Sequence, residues 1–192
     1  MIETLKAIDE SLFLFLNSQH NSFFDPLMWL FSEKLFWLPL YAWFLWLLYR
    51  KYPKHFWTVL VAILLMLAAS DQICNLAKES FMRFRPNHVP DLLPLLHTVH
   101  NFPSGNGSFG FYSAHASNAF AVALFMITAG VGKRSYMVSV CLTYALLTAY
   151  SRIYLGVHYP GDILIGAIIG TILGAGFAHA HARLRTRYLN PA

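Results

Sequence analysis

Charge is what this chain has least of. Of its 192 residues only 12% are charged, about half the share of an average soluble domain. Apolar residues make up 57% and the mean hydropathy is +0.48. That balance excludes an ordinary soluble domain and points to a membrane protein. Cysteine is scarce too. Cys74 and Cys141 both fall inside apolar runs, without CxxC or metal-ligand spacing, so unpaired thiols packed in helices are expected. No linker, low-complexity tract or internal repeat is present, and the length suits one compact bundle over residues 1–192. A basic leader is missing as well. Glu3, Asp9 and Glu10 stand where a signal peptide would carry positive charge, so no cleavable signal is expected. The net charge of +5 is not gathered in one patch, and no nucleic-acid partner is expected.

What the chain does have is long apolar runs. A spanning helix needs about 20 mostly apolar residues. Runs 26–49, 56–77, 115–131, 136–152 and 162–181 meet or approach that length. The expected fold is therefore all-α, an integral membrane bundle of five clear spans. Glu33-Lys34 interrupts the first run, either paired locally or marking where the span begins. Before it, Ile2, Leu5, Ile8, Leu12, Phe15 and Leu16 repeat with helical period. That segment reads as an amphipathic helix in the membrane interface or as a short first helix of a six-helix bundle. Gly166, Gly170 and Gly174 form a four-residue small-residue seam suited to close helix packing. The tryptophans suit the membrane interface and the bundle surface.

Basic residues set the expected orientation. Arg50, Lys51 and Lys54 follow the first run, Lys133 and Arg134 the third, and Arg183, Arg185 and Arg187 the last. Alternating spans put all three groups on one side, which the positive-inside rule makes cytoplasmic. Loops 79–114 and 153–161 then share the opposite face. The expected location is the cell's inner membrane, crossed several times.

Three polar clusters gather on that outer face. Lys78 is followed by Arg85-Pro86, then by Ser113-Ala114-His115, then by Ser151-Arg152, His158 and Asp162. Charge inside a membrane protein is costly and marks function. Lys78, Arg85 and Arg152 offer cations that grip phosphate and neutralise charge in a phosphoryl-transfer transition state, although each alone could merely snorkel to the headgroups. Asp162 could cap the last helix or accept a hydrogen bond from one ring nitrogen of His158, leaving the other free to attack phosphorus. Ser113 and the amides of Ala114 and His115 lie at a helix start, a natural anion site, where His115 could act as general acid or as a simple cap. Pro103-Ser104-Gly105-Asn106 imitates a phosphate loop, but Asn106 cannot transfer protons near neutral pH and no helix follows.

KESFMRFRP, YSAH and SRIYLGVHYPGD resemble the three motifs of the membrane branch of the type 2 phosphatidic acid phosphatase superfamily. The first and third match in full. In the second, Tyr112 and Ala114 replace the usual Pro and Gly, while Ser113 and His115 are kept. The resemblance implies that His158 is the nucleophile of a phosphohistidine route, that Asp162 orients it, and that His115 protonates the leaving group and then activates water. It implies that Lys78, Arg85, Ser113, Arg152 and loop amides, Ala114's included, hold the phosphoryl oxygens, with no metal or other cofactor. The substrate expected is a membrane lipid phosphate or pyrophosphate, with undecaprenyl pyrophosphate and lipid A phosphate foremost. A phosphotransferase on the same site and a non-catalytic lipid-phosphate binder are the alternatives.

Other polar residues stand apart. Asp71, Asn75 and Lys78 share one helical face, where Asp71 either positions neighbouring groups or makes a plain helix-to-helix hydrogen bond. His88, His97 and His100 have no zinc-site spacing. The apolar loop 87–112 reads as a membrane-facing lid or headgroup-recognition segment.

Overall fold

The computed structural model describes residues 2–99 and 107–189, and within them the chain is helix, turn and loop apart from one antiparallel bridge between Phe84 and Phe109. The phosphate-loop look-alike at 103–106 lies outside the described residues, as do His100 and Phe102. Seven α-helices follow in order: α1 (Ile2–Asn17), α2 (Phe24–Ser32), α3 (Leu38–Lys51), α4 (Phe56–Phe81), α5 (Ala114–Ala129), α6 (Arg134–Tyr154) and α7 (Pro160–Leu184). Two helical stretches, Pro53–Phe81 and Pro160–Arg187, are long and apolar enough to cross a membrane by length and composition, and α5 is a shorter apolar helix.

The run 26–49 is not one helix. It breaks at Glu33, whose extended backbone closes α2, and a 3-10 turn over Lys34–Trp37 leads into α3. The charged pair therefore marks where the next helix begins. Helix α4 stops at Met82, whose left-handed φ of 43° lets its N–H return to the Lys78 carbonyl. Helix α5 starts at a Ser113 N-cap and ends at Gly130 with φ 63°.

α5 and α7 pack through the glycine seam. A Cβ on Gly166, Gly170 or Gly174 would lie 2.7, 2.1 or 2.3 Å from the carbonyl oxygens of Ser113, Ser117 or Ala121. Only glycine permits this approach. The N-termini of α5 and α7 meet as a result, and the Ser113 N–H donates to the Asp162 carbonyl at 3.1 Å. Buried Ser70 and Ser117 share a hydrogen bond of 2.8 Å that ties α4 to α5.

The basic groups meet at the other end of the bundle. Lys51 donates to the Ala129 carbonyl, Arg185 lies over the Tyr52 ring, and Thr58 and His181 are in hydrogen-bond contact. Helix α1 has the expected period, but its apolar stripe faces outward. Leu5, Ile8, Leu12 and Phe15 are exposed, while Asp9, Phe13 and Asn17 turn toward the protein. The stripe is thus turned away from the bundle, the face an interfacial helix presents to lipid.

Candidate active site

The third motif folds back on itself. After α6 the chain turns at Gly156 (φ 74°), and the N–H groups of Val157 and His158 both donate to the Arg152 carbonyl. His158 thus lies beside Arg152 although five residues separate them. Pro160 then opens α7, and Asp162 sits at the third helical position. Its Oδ2 accepts the Tyr159 N–H at 3.0 Å, closing a capping box. Asp162 is therefore not the N-cap residue; Tyr159 is. The same Oδ2 lies 3.5 Å from His158 Nδ1, and Oδ1 accepts from Arg83 at 3.1 Å. Both residues are buried, Asp162 completely. Nδ1 also faces the backbone at Gly110, where an added Cβ would lie 3.6 Å away. Nε2 is the ring nitrogen left to meet a ligand.

The first motif reaches the same place through an extended strip. Arg85 N–H donates to Ser108, its Nε donates to the Phe109 carbonyl, and Gly110 N–H donates to the Arg83 carbonyl. Gly110 has no room for a side chain, since a Cβ would stand 2.9 Å from Arg85 Cγ. Arg85 is buried, and so is Arg152, which donates to Ser32 of α2. Burying such cations costs several kcal/mol unless an anion answers them. Lys78, one turn before the end of α4, is half-buried. The charges of Arg152, Arg85 and Lys78 all act on His158. Together with burial, the largest cause, they hold its imidazole well below the ordinary histidine pKa.

The second motif supplies the other wall. Ser113 Oγ accepts the Ala116 N–H as the α5 cap and is fully buried. Ala114 and His115 form the first turn of α5, and His115 stands within electrostatic reach of Arg152, His158, Lys34 and Arg85. All the residues expected from the motifs are brought together. Beside His115 opens a cavity of about 460 Å³ between α3, α4, α5 and α6. Near the His115 end it is lined by Ser32, Lys34, Asp71 and Asn118, and further along the helices by apolar side chains such as Leu60 and Met126. Asp71 accepts from Asn118 at 2.9 Å, which is the helix-to-helix hydrogen bond weighed for it.

Ser32, Arg83, Asp9 and Lys34 lie near the site although the motifs do not name them. Arg83 carried a signal, since it stands two residues from Arg85 on an extended strip and so shares its side. Asp9 gave only the weak signal of a carboxylate in an apolar helix. Outside this cluster, His97 pairs with Asp25 at 2.8 Å and stacks on His20. Cys74 and Cys141 are free and buried.

Comparison with known proteins gives matches over nearly the whole chain. The family model described as PAP2 superfamily matches residues 59–186. A lipid A 4'-phosphatase of Bacteroides thetaiotaomicron is 36% identical over 97% of this chain and 83% of its own length. Another, from Porphyromonas gingivalis, is 32% identical over 98% of this chain and 79% of its own. Among solved structures, a PAP2-type phosphatidylglycerolphosphate phosphatase from Bacillus subtilis superposes with a TM-score of 0.72. It covers 96% of this chain and 89% of its own at 22% identity, a likeness of fold.

Proposed function

This chain belongs to the PAP2 superfamily and is a membrane phosphatase; from that premise we propose that it hydrolyses a phosphate of a lipid A-type glycolipid at the outer leaflet. The observation that carries the reading is the junction of a cation-lined histidine site with an apolar cavity beside His115. A phosphate attached to a hydrocarbon-bearing group satisfies both halves at once. The two relatives matched along most of their length, both named lipid A 4'-phosphatases, support the choice of lipid.

In the proposed reaction His158 Nε2 attacks phosphorus and the bond to the lipid oxygen breaks. His115 gives that oxygen its proton. Asp162 holds His158 through Nδ1, and its negative charge balances the positive charge that the ring gains. Lys78, Arg85, Arg152 and amides at the α5 start answer the phosphoryl oxygens. Water then attacks the phosphohistidine, His115 takes the proton from it, and inorganic phosphate leaves. The protein crosses the inner membrane with α3 to α7, its basic end in the cytoplasm and its site outside.

The test is phosphate release from lipid A, undecaprenyl pyrophosphate, phosphatidylglycerol phosphate and phosphatidic acid. Lipid A is expected to be turned over fastest, and His158→Ala to abolish release. In right-side-out vesicles release should need no permeabilisation. Binding without turnover, or full activity in His158→Ala, would reject the enzyme mechanism. Release only after permeabilisation would reverse the orientation.

A further inference from the structure

Two charged residues with no part in the proposed reaction touch its machinery. Arg83 donates from Nη1 to Asp162 Oδ1 at 3.1 Å and from Nη2 to Asp9 Oδ2 at 2.7 Å. Its guanidinium carbon lies 3.9 Å from the centre of the Tyr159 ring. Asp9 Oδ1 in turn accepts the Gly161 N–H at 2.7 Å, inside the first turn of α7. The backbone on both sides is fixed. The Arg83 carbonyl receives the Gly110 N–H, and Phe13, one turn after Asp9, packs edge-on against Tyr159 with ring centres 5.4 Å apart.

This arrangement bears on Asp162. Its Oδ2 is occupied by the Tyr159 N–H and by the approach to His158, so Oδ1 is left to Arg83. A carboxylate with no solvent exposure tends to take up a proton unless a cation opposes it. A neutral Asp162 would no longer balance charge on His158. Arg83 is about a quarter exposed, and free of an anchor it would trade Asp162 for water. Asp9 supplies that anchor, and the planar fork of the guanidinium lets one side chain serve two carboxylates.

We propose that Asp9 and Arg83 are positioning residues of the reaction. Asp9 fixes the guanidinium, the guanidinium keeps the Asp162 carboxylate an anion turned toward His158, and α1 is thereby part of the catalytic apparatus. The inference rests on His158 being the nucleophile. The charged and titratable groups facing the pair are Arg83, Arg85, Tyr159 and Asp9 around Asp162, and Lys78, Arg85, Arg152 and His115 around His158.

The experiment uses the full chain in detergent, with lipid A and dioleoyl phosphatidic acid as probes. It measures kcat, KM and the pH profile of kcat/KM for Arg83→Gln, Arg83→Lys, Asp9→Asn and His158→Ala. Arg83→Gln is expected to lower kcat about 100-fold, as loss of alignment does, with KM within about threefold. Its acid limb should move up by about one pH unit, because a cation beside the carboxylate is gone. Arg83→Lys should recover most of kcat, and Asp9→Asn should fall between. Wild-type kcat and an unmoved limb in Arg83→Gln, with His158→Ala inactive, overturn this inference alone. So does a loss that Lys does not rescue and that leaves the limb unmoved, since that is a folding defect. If Arg83→Gln does not fold, an unmoved limb in both Asp9→Asn and Arg83→Lys has the same force. Turnover by His158→Ala overturns the reaction itself, and this inference with it.

Discussion

At the scale of single residues, the proposed reaction turns on the state of His158. A nucleophilic imidazole must be neutral. Burial and the charges of Arg152, Arg85 and Lys78 hold the pKa of His158 well below the ordinary value, so the neutral ring is present at neutral pH and stays so as pH falls through about 6.5. Protonation of His158, as distinct from the acid limb that Asp162 sets, should accordingly occur below about pH 6.5, and a titration of the ring at or above that value would contradict this account. The sign for stability follows from the same shift. Below about 6.5 the unfolded chain takes up a proton that folded His158 refuses, so stability is present above that pH and declines below it. Thermal unfolding in detergent at pH 5 and pH 7 checks the direction. In the proposed reaction, bound phosphate would answer the three cations and relieve their pressure on the ring, so that positive charge develops on His158 only while substrate is present.

At the scale of elements, the site exists because two helix starts are held together. The α5–α7 seam brings the Ser113 N–H to the Asp162 carbonyl, so backbone packing sets the His115 end of α5 beside the turn that carries His158. Gly170→Ala puts a methyl 2.1 Å from the Ser117 carbonyl oxygen. The expected cost is about 3 kcal/mol, with phosphate release lost as the helix starts part. Gly176, on the same helix, has nothing within 4 Å of an added Cβ. Gly176→Ala should be neutral or gain up to about 1 kcal/mol from helix propensity. Thermal unfolding and phosphate release of the two variants, measured side by side, separate seam from propensity. The seam was legible in the sequence as a four-residue spacing, and the three motifs were legible because their chemistry demands particular residue types. Helix α1 was legible only in its period. A stripe of apolar residues announces a helix face but not which apolar medium it meets, so the inward row of Asp9, Phe13 and Asn17 could not be read. The partners of Arg83 were hidden for a related reason, since they lie 74 and 79 residues away along the chain. The break at Glu33 was legible as an alternative, because a charged pair inside an apolar run ends a helix as readily as it pairs within one.

At the scale of the whole molecule, polarity is divided along the bundle. One end holds Lys51, Arg185 and His181, the other holds the histidine site, and the apolar cavity runs from the site into the space between. The pairing of a polar site with an apolar cavity predicts discrimination by the length of the hydrocarbon. Leu60, on α4, lines that cavity well away from the residues proposed for the reaction. A tryptophan there would displace about two methylenes of a bound chain. At about 0.8 kcal/mol each, that is about 1.6 kcal/mol, or roughly a tenfold change in affinity. Leu60→Trp should therefore raise KM about tenfold for dioleoyl phosphatidic acid while leaving kcat close to wild type, because uniform binding is what is lost. For the dihexanoyl form, whose chains are too short to reach that depth, KM should stay within about twofold. Steady-state phosphate release with the two lipids makes the comparison. Equal effects on both would mean that the cavity holds no hydrocarbon during turnover, and that the lipid chain remains outside the bundle while only its phosphate enters.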